Sequence, residues 1–192
     1  MTQSRPLATL GSLLLAGLLA AAPAVALAWE LQGVKTITAN TRDKERITLG
    51  SVHFEPRADG SVAFSVTLDP SRFVDHFLSM KEFKCIEGQG EIVCHVPYPY
   101  AQPGIVTGED LAWLEHSLLF LYKLPSEFGA RLSNGLYFQL ERTEQGLQGR
   151  PQAIDLNQIS APPDSPELPP FHADLRDDIA PGVRWIESLS IE

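Results

Sequence analysis

The sequence predicts an α+β fold: a mostly antiparallel, curved meander sheet or half-barrel packed on one long helix, with a disulfide pinning one hairpin. Three observations carry that prediction. SVAFSVTLD (61–69) alternates apolar and polar residues, TGEDLAWLEHSLLFLYK (107–123) spaces its leucines as a helix would, and Cys85 and Cys94 flank a turn. Strict alternation buries one strand face and leaves the other wet, which is the habit of antiparallel sheets.

Residues 1–28 read as a cleaved secretory signal peptide. Arg5 supplies a weak positive start, LATLGSLLLAGLLAAA (7–22) is the apolar run, and Ala26-Leu27-Ala28 offers the small residues a signal peptidase needs. Trp29 is then the first mature residue. The apolar run is shorter than the ~20 residues of a membrane span, and no cluster of Lys or Arg follows, so no stable span is expected after cleavage. Export implies a periplasmic or secreted protein that folds and oxidises outside the cytoplasm. Residues 29–192 are expected to form a single globular domain. A net charge of −9 without a basic cluster argues against nucleic acid or an anionic lipid surface as partner.

ELQGVKTITA (30–39) has the β-branched residues of a first strand. RITLGSVHF (46–54) is a second strand whose apolar parity switches at Gly50, the mark of a bulge. In 61–69, Val62, Phe64, Val66 and Leu68 share the buried face. DPSRFVDHF (69–77) predicts a short helical turn capped by Asp69, with Pro70 at its first position. Residues 78–86 and 91–96 form the next hairpin. The helix over 107–123 has Thr107 as cap, Glu109 and Asp110 at its positive end, Lys123 at its negative end, and Pro125 beyond. Leu111, Leu114, Leu118 and Leu121 would be its core stripe. LYFQLERTEQGLQG (136–149) is another hairpin, AIDLNQI (153–159) is extended or turn-like, and VRWIESLSI (183–191) is a terminal strand. SAPPDSPELPPF (160–171) holds five prolines and reads as a polyproline-like strap across the surface.

The cysteine spacing fixes a register. With the turn at Gln89-Gly90, Cys85 faces Cys94 in a non-hydrogen-bonded pair, where Cα atoms approach to ~4.5 Å. Phe83, Cys85, Ile92, Cys94 and Val96 then share one face, so the sulfurs form a structural disulfide on the core side. His95 falls on the opposite face from Cys94, which removes the obvious third ligand of a zinc site. No C-x-x-C is present for redox work. No metal and no cofactor are expected.

For catalysis the chain offers no G-x-S-x-G, no S-x-x-K, no Gly-rich phosphate loop and no histidine pair at ligand spacing. The distinctive element is Pro97-Tyr98-Pro99-Tyr100. Two prolines end the strand and present two tyrosines on a stiff loop. The expectation is an exported, non-enzymatic protein that binds an envelope protein or a small apolar ligand through this loop and a helix–sheet cleft. Its candidate site residues are Tyr98, Tyr100, His95, Trp113, His116 and Phe120, with FLSMKEF (77–83) as a wall and Met80 as adaptable filler. The alternative is a small periplasmic hydrolase or metal-dependent enzyme built from Asp75, His76, His95 and His116. It requires at least three of these to meet in one cleft.

Overall fold

The computed structural model describes residues 29–78 and 81–192. The signal-peptide reading of 1–28 lies outside the described residues, as do Ser79 and Met80. Twelve strands are present among the described residues: β1 (Gly33–Thr41), β2 (Arg46–Pro56), β3 (Val62–Leu68), β4 (Val74–Leu78), β5 (Lys81–Glu87), β6 (Ile92–His95), β7 (Ile105–Val106), β8 (Phe120–Lys123), β9 (Gly135–Arg142), β10 (Leu147–Ile154), β11 (Asp177–Asp178) and β12 (Ile186–Ile191). They pair antiparallel in one sheet of order β4-β5-β6-β8-β9-β10-β12-β1-β2-β3-β7, with β11 added beside β10. A sheet this wide curls, because accumulated twist stops it lying flat beyond ~10 strands. The curl brings β3, near one edge, against the segment that leaves β6, which lies near the other edge.

No sheet packed on a long helix exists among the described residues. The only α-helix among the described residues is α1 (Ala112–His116), and 120–123 is strand β8, held between β6 and β9. The expected helix fails for a physical reason. Phe120 packs on one face of the sheet and Leu121 on the other, so β8 is apolar on both faces and its run of Leu118–Leu121 cannot be told from a buried helix by periodicity. The expected cap is displaced too. Thr107 Oγ1 accepts from the Glu109 and Asp110 N–H groups at 3.2 and 3.0 Å, a turn that precedes the helix. Asp110 Oδ1 then accepts from Ala112 N–H at 2.9 Å, where the helix starts.

Elsewhere local chemistry sets the elements as expected. Asp69 Oδ1 accepts from Ser71 N–H at 3.0 Å and Pro70 opens a 3-10 turn, which stops at Arg72, so that 74–78 becomes β4. Ile37 faces Gly50 while Thr38 faces Thr48, leaving Leu49 unmatched: the bulge. Gly50 sits at φ 154°, and a Cβ there would lie 2.1 Å from the Thr67 carbonyl oxygen, so only glycine fits. In the cysteine hairpin Cys85 faces Cys94, Ile86 faces Val93, and Gly88 N–H donates to Glu91 O. The Cα atoms of the disulfide are 3.9 Å apart. Closing a loop of this length removes roughly 2.5–3 kcal/mol of chain entropy from the unfolded state. Gly88 is bare because the Trp185 ring lies on it; a Cβ would stand 2.1 Å from that ring.

Two apolar clusters result. The inner one lies inside the curl and includes Ile37, Leu49, Val52, Phe54, Val93, Phe120, Leu136, Phe138, Trp185 and Leu189. The outer one lies on the convex side of the central strands and includes Cys85, Ile92, Cys94, Leu121, Tyr137 and Ile154. Phe83 and Val96 join Cys85, Ile92 and Cys94 on that side, as the hairpin parity requires. The outer cluster is roofed by the strap: Ile159 and Phe171, at its two ends, are both buried there.

Candidate functional site

The Pro-Tyr-Pro-Tyr loop begins where β6 runs out of partners. Val96 N–H makes the last bond, to Leu119 O at 2.9 Å; Pro97 and Pro99 have no N–H to continue it. The prolines are exposed and the tyrosines half-buried, their rings edge-to-face at 5.7 Å between centroids. The two hydroxyls are treated differently. Tyr100 Oη donates to the Ile159 carbonyl at 3.2 Å and so ties the loop to the strap. Tyr98 Oη is buried without a hydrogen-bond partner among the described residues. Burial pushes its pKa up, with the neighbouring Tyr100 adding to the rise.

Behind Tyr98 stands an aromatic wall. Its ring lies 5.8 Å from Trp113 and 6.1 Å from His116. His116 is fully buried; Nδ1–H donates to Ala112 O at 2.7 Å, and Nε2 accepts from Phe171 N–H at 3.1 Å. That pair of bonds specifies a neutral ring, stacked on Phe171 at 5.5 Å. Burial lowers the His116 pKa to about 4, and the Arg176 and His172 charges push the same way. Beside it, buried Glu115 accepts from the Tyr137 hydroxyl and, at 2.7 Å, from Leu140 N–H. Burial still raises its pKa. His116 thus ties α1 to the strap, and Glu115 ties it to β9.

In front of Tyr98 is a cleft of about 290 Å³, lined by Phe64, Val66 and Leu68 of β3 on one side and by His95, Pro97, Tyr98 and Gln102 on the other. Ser65, Gly104 and Ser117 complete it, and none of its lining residues carries a formal charge. The wall expected from 77–83 is not here: β4 and β5 lie at the far edge of the sheet, and β3 takes that place. The partner expected from a long helix is likewise replaced by β3. Of the sequence candidates, His95 and Tyr98 line the cleft. Trp113 and His116 lie behind Tyr98, Tyr100 is anchored to the strap, and Phe120 is wholly buried in the inner core, 5.5 Å from the His95 ring. The apolar β3 face and Gln102 were missed. The alternation of β3 marks Phe64, Val66 and Leu68 as one face, but only the curl shows what that face meets.

The polar groups of the cleft are specifically committed. His95 Nε2–H donates to Ser117 O at 3.2 Å, and burial lowers the His95 pKa. Ser117 Oγ donates to Trp113 O at 3.0 Å and accepts from Gln102 Nε2 at 2.9 Å. Gln102 Oε1 is buried with no partner among the described residues. Ser117 is therefore not paired with a base, although His116 is its neighbour in sequence. Asp75 is bound by Lys84, while His76, on the other face of β4, meets Glu87 at 2.9 Å. His95 is on the inner face and His116 on the outer. Among the described residues no group of three or more His, Cys, Asp or Glu could hold a metal ion.

A larger cavity of about 550 Å³ opens where β10 and β12 part and the 178–184 segment crosses between them. Its charged rim is internally paired: Arg150 with Glu141, Arg184 with Glu91, Glu187 with Lys44, and Asp178 with Gln152. The smaller cleft differs in having no charged residue in its lining. No described helix is long and apolar enough to cross a membrane. No protein-family model, no curated protein and no solved structure matches the chain.

Proposed function

We propose that this chain is an exported, periplasmic binding protein that holds a small ligand in the cleft between β3 and the Pro-Tyr-Pro-Tyr loop. One observation carries the reading: an uncharged cleft of about 290 Å³ has the apolar Phe64, Val66 and Leu68 on one wall and the stiff Pro97–Tyr98 corner on the other. The apolar β3 face supplies contact area and the few polar groups supply orientation, the usual division in ligand sites; the volume lies near the ~300 Å³ lower end for such sites. Binding is favoured over catalysis because the titratable ring in the cleft, His95, is neutral and committed to a carbonyl, and Ser117 has no base. The disulfide, and the export signal read from residues 1–28, support an oxidising compartment.

Native mass spectrometry of protein released from the periplasm tests this. The expected species begins at Trp29, is two hydrogens lighter than the dithiol, and carries a non-covalent small-molecule adduct. Val66→Trp, on the β3 wall of the cleft, should lose the adduct. An adduct-free wild-type protein, or a folded Val66→Trp that stays loaded, would refute the reading.

A further inference from the structure

We infer that β4 is a docking edge for a second copy of this chain, the two β4 strands pairing antiparallel about a two-fold axis at His76. The strand order ends on β4 at one side and on the two-residue β7 at the other, so β4 is the long open edge of the sheet. Hydrogen-bond parity, counted outward from the cysteine hairpin, shows what that edge offers. Gly88 N–H donates to Glu91 O, and alternation from there makes Cys85–Cys94 a non-hydrogen-bonded pair. The Cys85 N–H and C=O therefore point toward Val74, and β5 takes the backbone groups of Val74, His76 and Leu78. Those of Asp75 and Phe77 face the other way, where no strand lies among the described residues. Phe77 is 74% exposed and Val74 51%. Open donors and acceptors beside exposed apolar side chains make a template for another strand.

The strand that fits this edge is the edge itself. With His76 opposite its own copy, Asp75 faces Phe77 of the second copy and Phe77 faces Asp75, so the open residues of both strands form hydrogen-bonded pairs. On the outer face Val74 lands opposite Leu78 of the second copy. Leu78 belongs to the buried outer cluster, which is thereby continued across the edge. On the other face the two Phe77 rings lie on the diagonal, within reach of each other. Sliding one copy by two residues leaves a single pair between the open positions and moves Val74 off Leu78. Charge favours a copy over an acidic or basic peptide. Asp75 and Glu82 are paired with Lys84, and His76 meets Glu87 at 2.9 Å, so the edge presents no charge for a peptide to neutralise. Each copy is acidic overall, so like charge opposes the approach and added salt should favour the pair.

Sedimentation velocity of the disulfide-bonded protein, from about 10 µM to about 500 µM, tests this in the range where a small interface is populated. Monomer should give way to dimer across that range, and more so in about 0.5 M than in about 0.05 M salt. Phe77→Lys, which puts a charge on the edge, should stay monomeric throughout. Asp75→Pro should do the same with an unchanged circular dichroism spectrum, because the N–H it deletes faces the open edge and not β5. His76→Cys should cross-link into a covalent dimer in air, since the two-fold brings its Cβ atoms into disulfide range. Glu82→Cys, exposed on β5 and one strand removed from the axis, should not. A wild type that stays monomeric overturns the inference, as does a dimer that Phe77→Lys and Asp75→Pro leave intact. A dimer that weakens with salt is held by charge and also overturns it. Cross-linking of His76→Cys no greater than that of Glu82→Cys overturns the pairing about His76.

Discussion

The inner and outer faces of the central strands are covered in different ways. On the inner face the sheet closes on itself, and strand packs against strand through residues such as Leu136, Phe138 and Leu189, all fully buried. On the outer face the cover is the Pro-Tyr-Pro-Tyr loop and the strap, neither of them part of the sheet, while α1 buries Leu114 in the inner cluster and reaches the outer side through Glu115 and His116. That cover hangs on a few bonds: Phe171 N–H to His116, Tyr100 to Ile159 O, and Glu115 to Tyr137 and Leu140. Regular pairing holds one side and individual side chains hold the other. The cleft lies where the two systems meet, with one wall from the sheet and one from the loop.

The contrast is broken most forcefully in the cores. Phe138→Ala should cost about 3–5 kcal/mol in denaturant unfolding, because strands on both sides prevent collapse into the void. Phe171→Ala, in the strap, should cost clearly less, since a segment outside the sheet can move inward. Equal losses would mean that the strap is as rigid as the sheet.

The next test uses acid. His116 binds its proton more weakly folded than unfolded, with a pKa of about 4 against an ordinary value of about 6.5. Between these values the unfolded chain holds more protons, so stability is lost as pH falls from about 6.5 to about 4, by on the order of 3 kcal/mol. His95, also lowered by burial, acts in the same direction. Glu115 acts oppositely, because burial raises its pKa and favours the folded state toward acid. Stability–pH profiles of wild type and His116→Gln isolate the histidine: the two should diverge in slope across this window and run parallel above it. Parallel profiles throughout would deny His116 its part in holding the strap.

How much of this the sequence revealed follows the same division. Interactions set by neighbours in the chain were legible: the Cys85–Cys94 register, the bulge at Gly50, the Asp69 cap, and the Val62–Leu68 face. Elements defined by distant partners were not. Residues 120–123 look helical because both faces are buried, and 74–78 become a strand only because β5 lies alongside. The site split likewise. Tyr98 and His95 stood out by composition and position, whereas Gln102 and the β3 wall depend on a curl that no local pattern announces. His116 was read as a site candidate, and its side chain is committed at both nitrogens to Ala112 and Phe171.

The smallest effect is the most direct test of the central claim, that the Tyr100 hydroxyl builds the loop and the Tyr98 hydroxyl does not. It is the unfolding free energy of Tyr98→Phe and Tyr100→Phe, measured side by side without ligand. Tyr100→Phe should cost about 1 kcal/mol, because it removes a donor from the Ile159 carbonyl. Tyr98→Phe should leave stability unchanged or raise it, because its hydroxyl has no partner among the described residues. A loss in Tyr98→Phe as large as that in Tyr100→Phe would contradict the account.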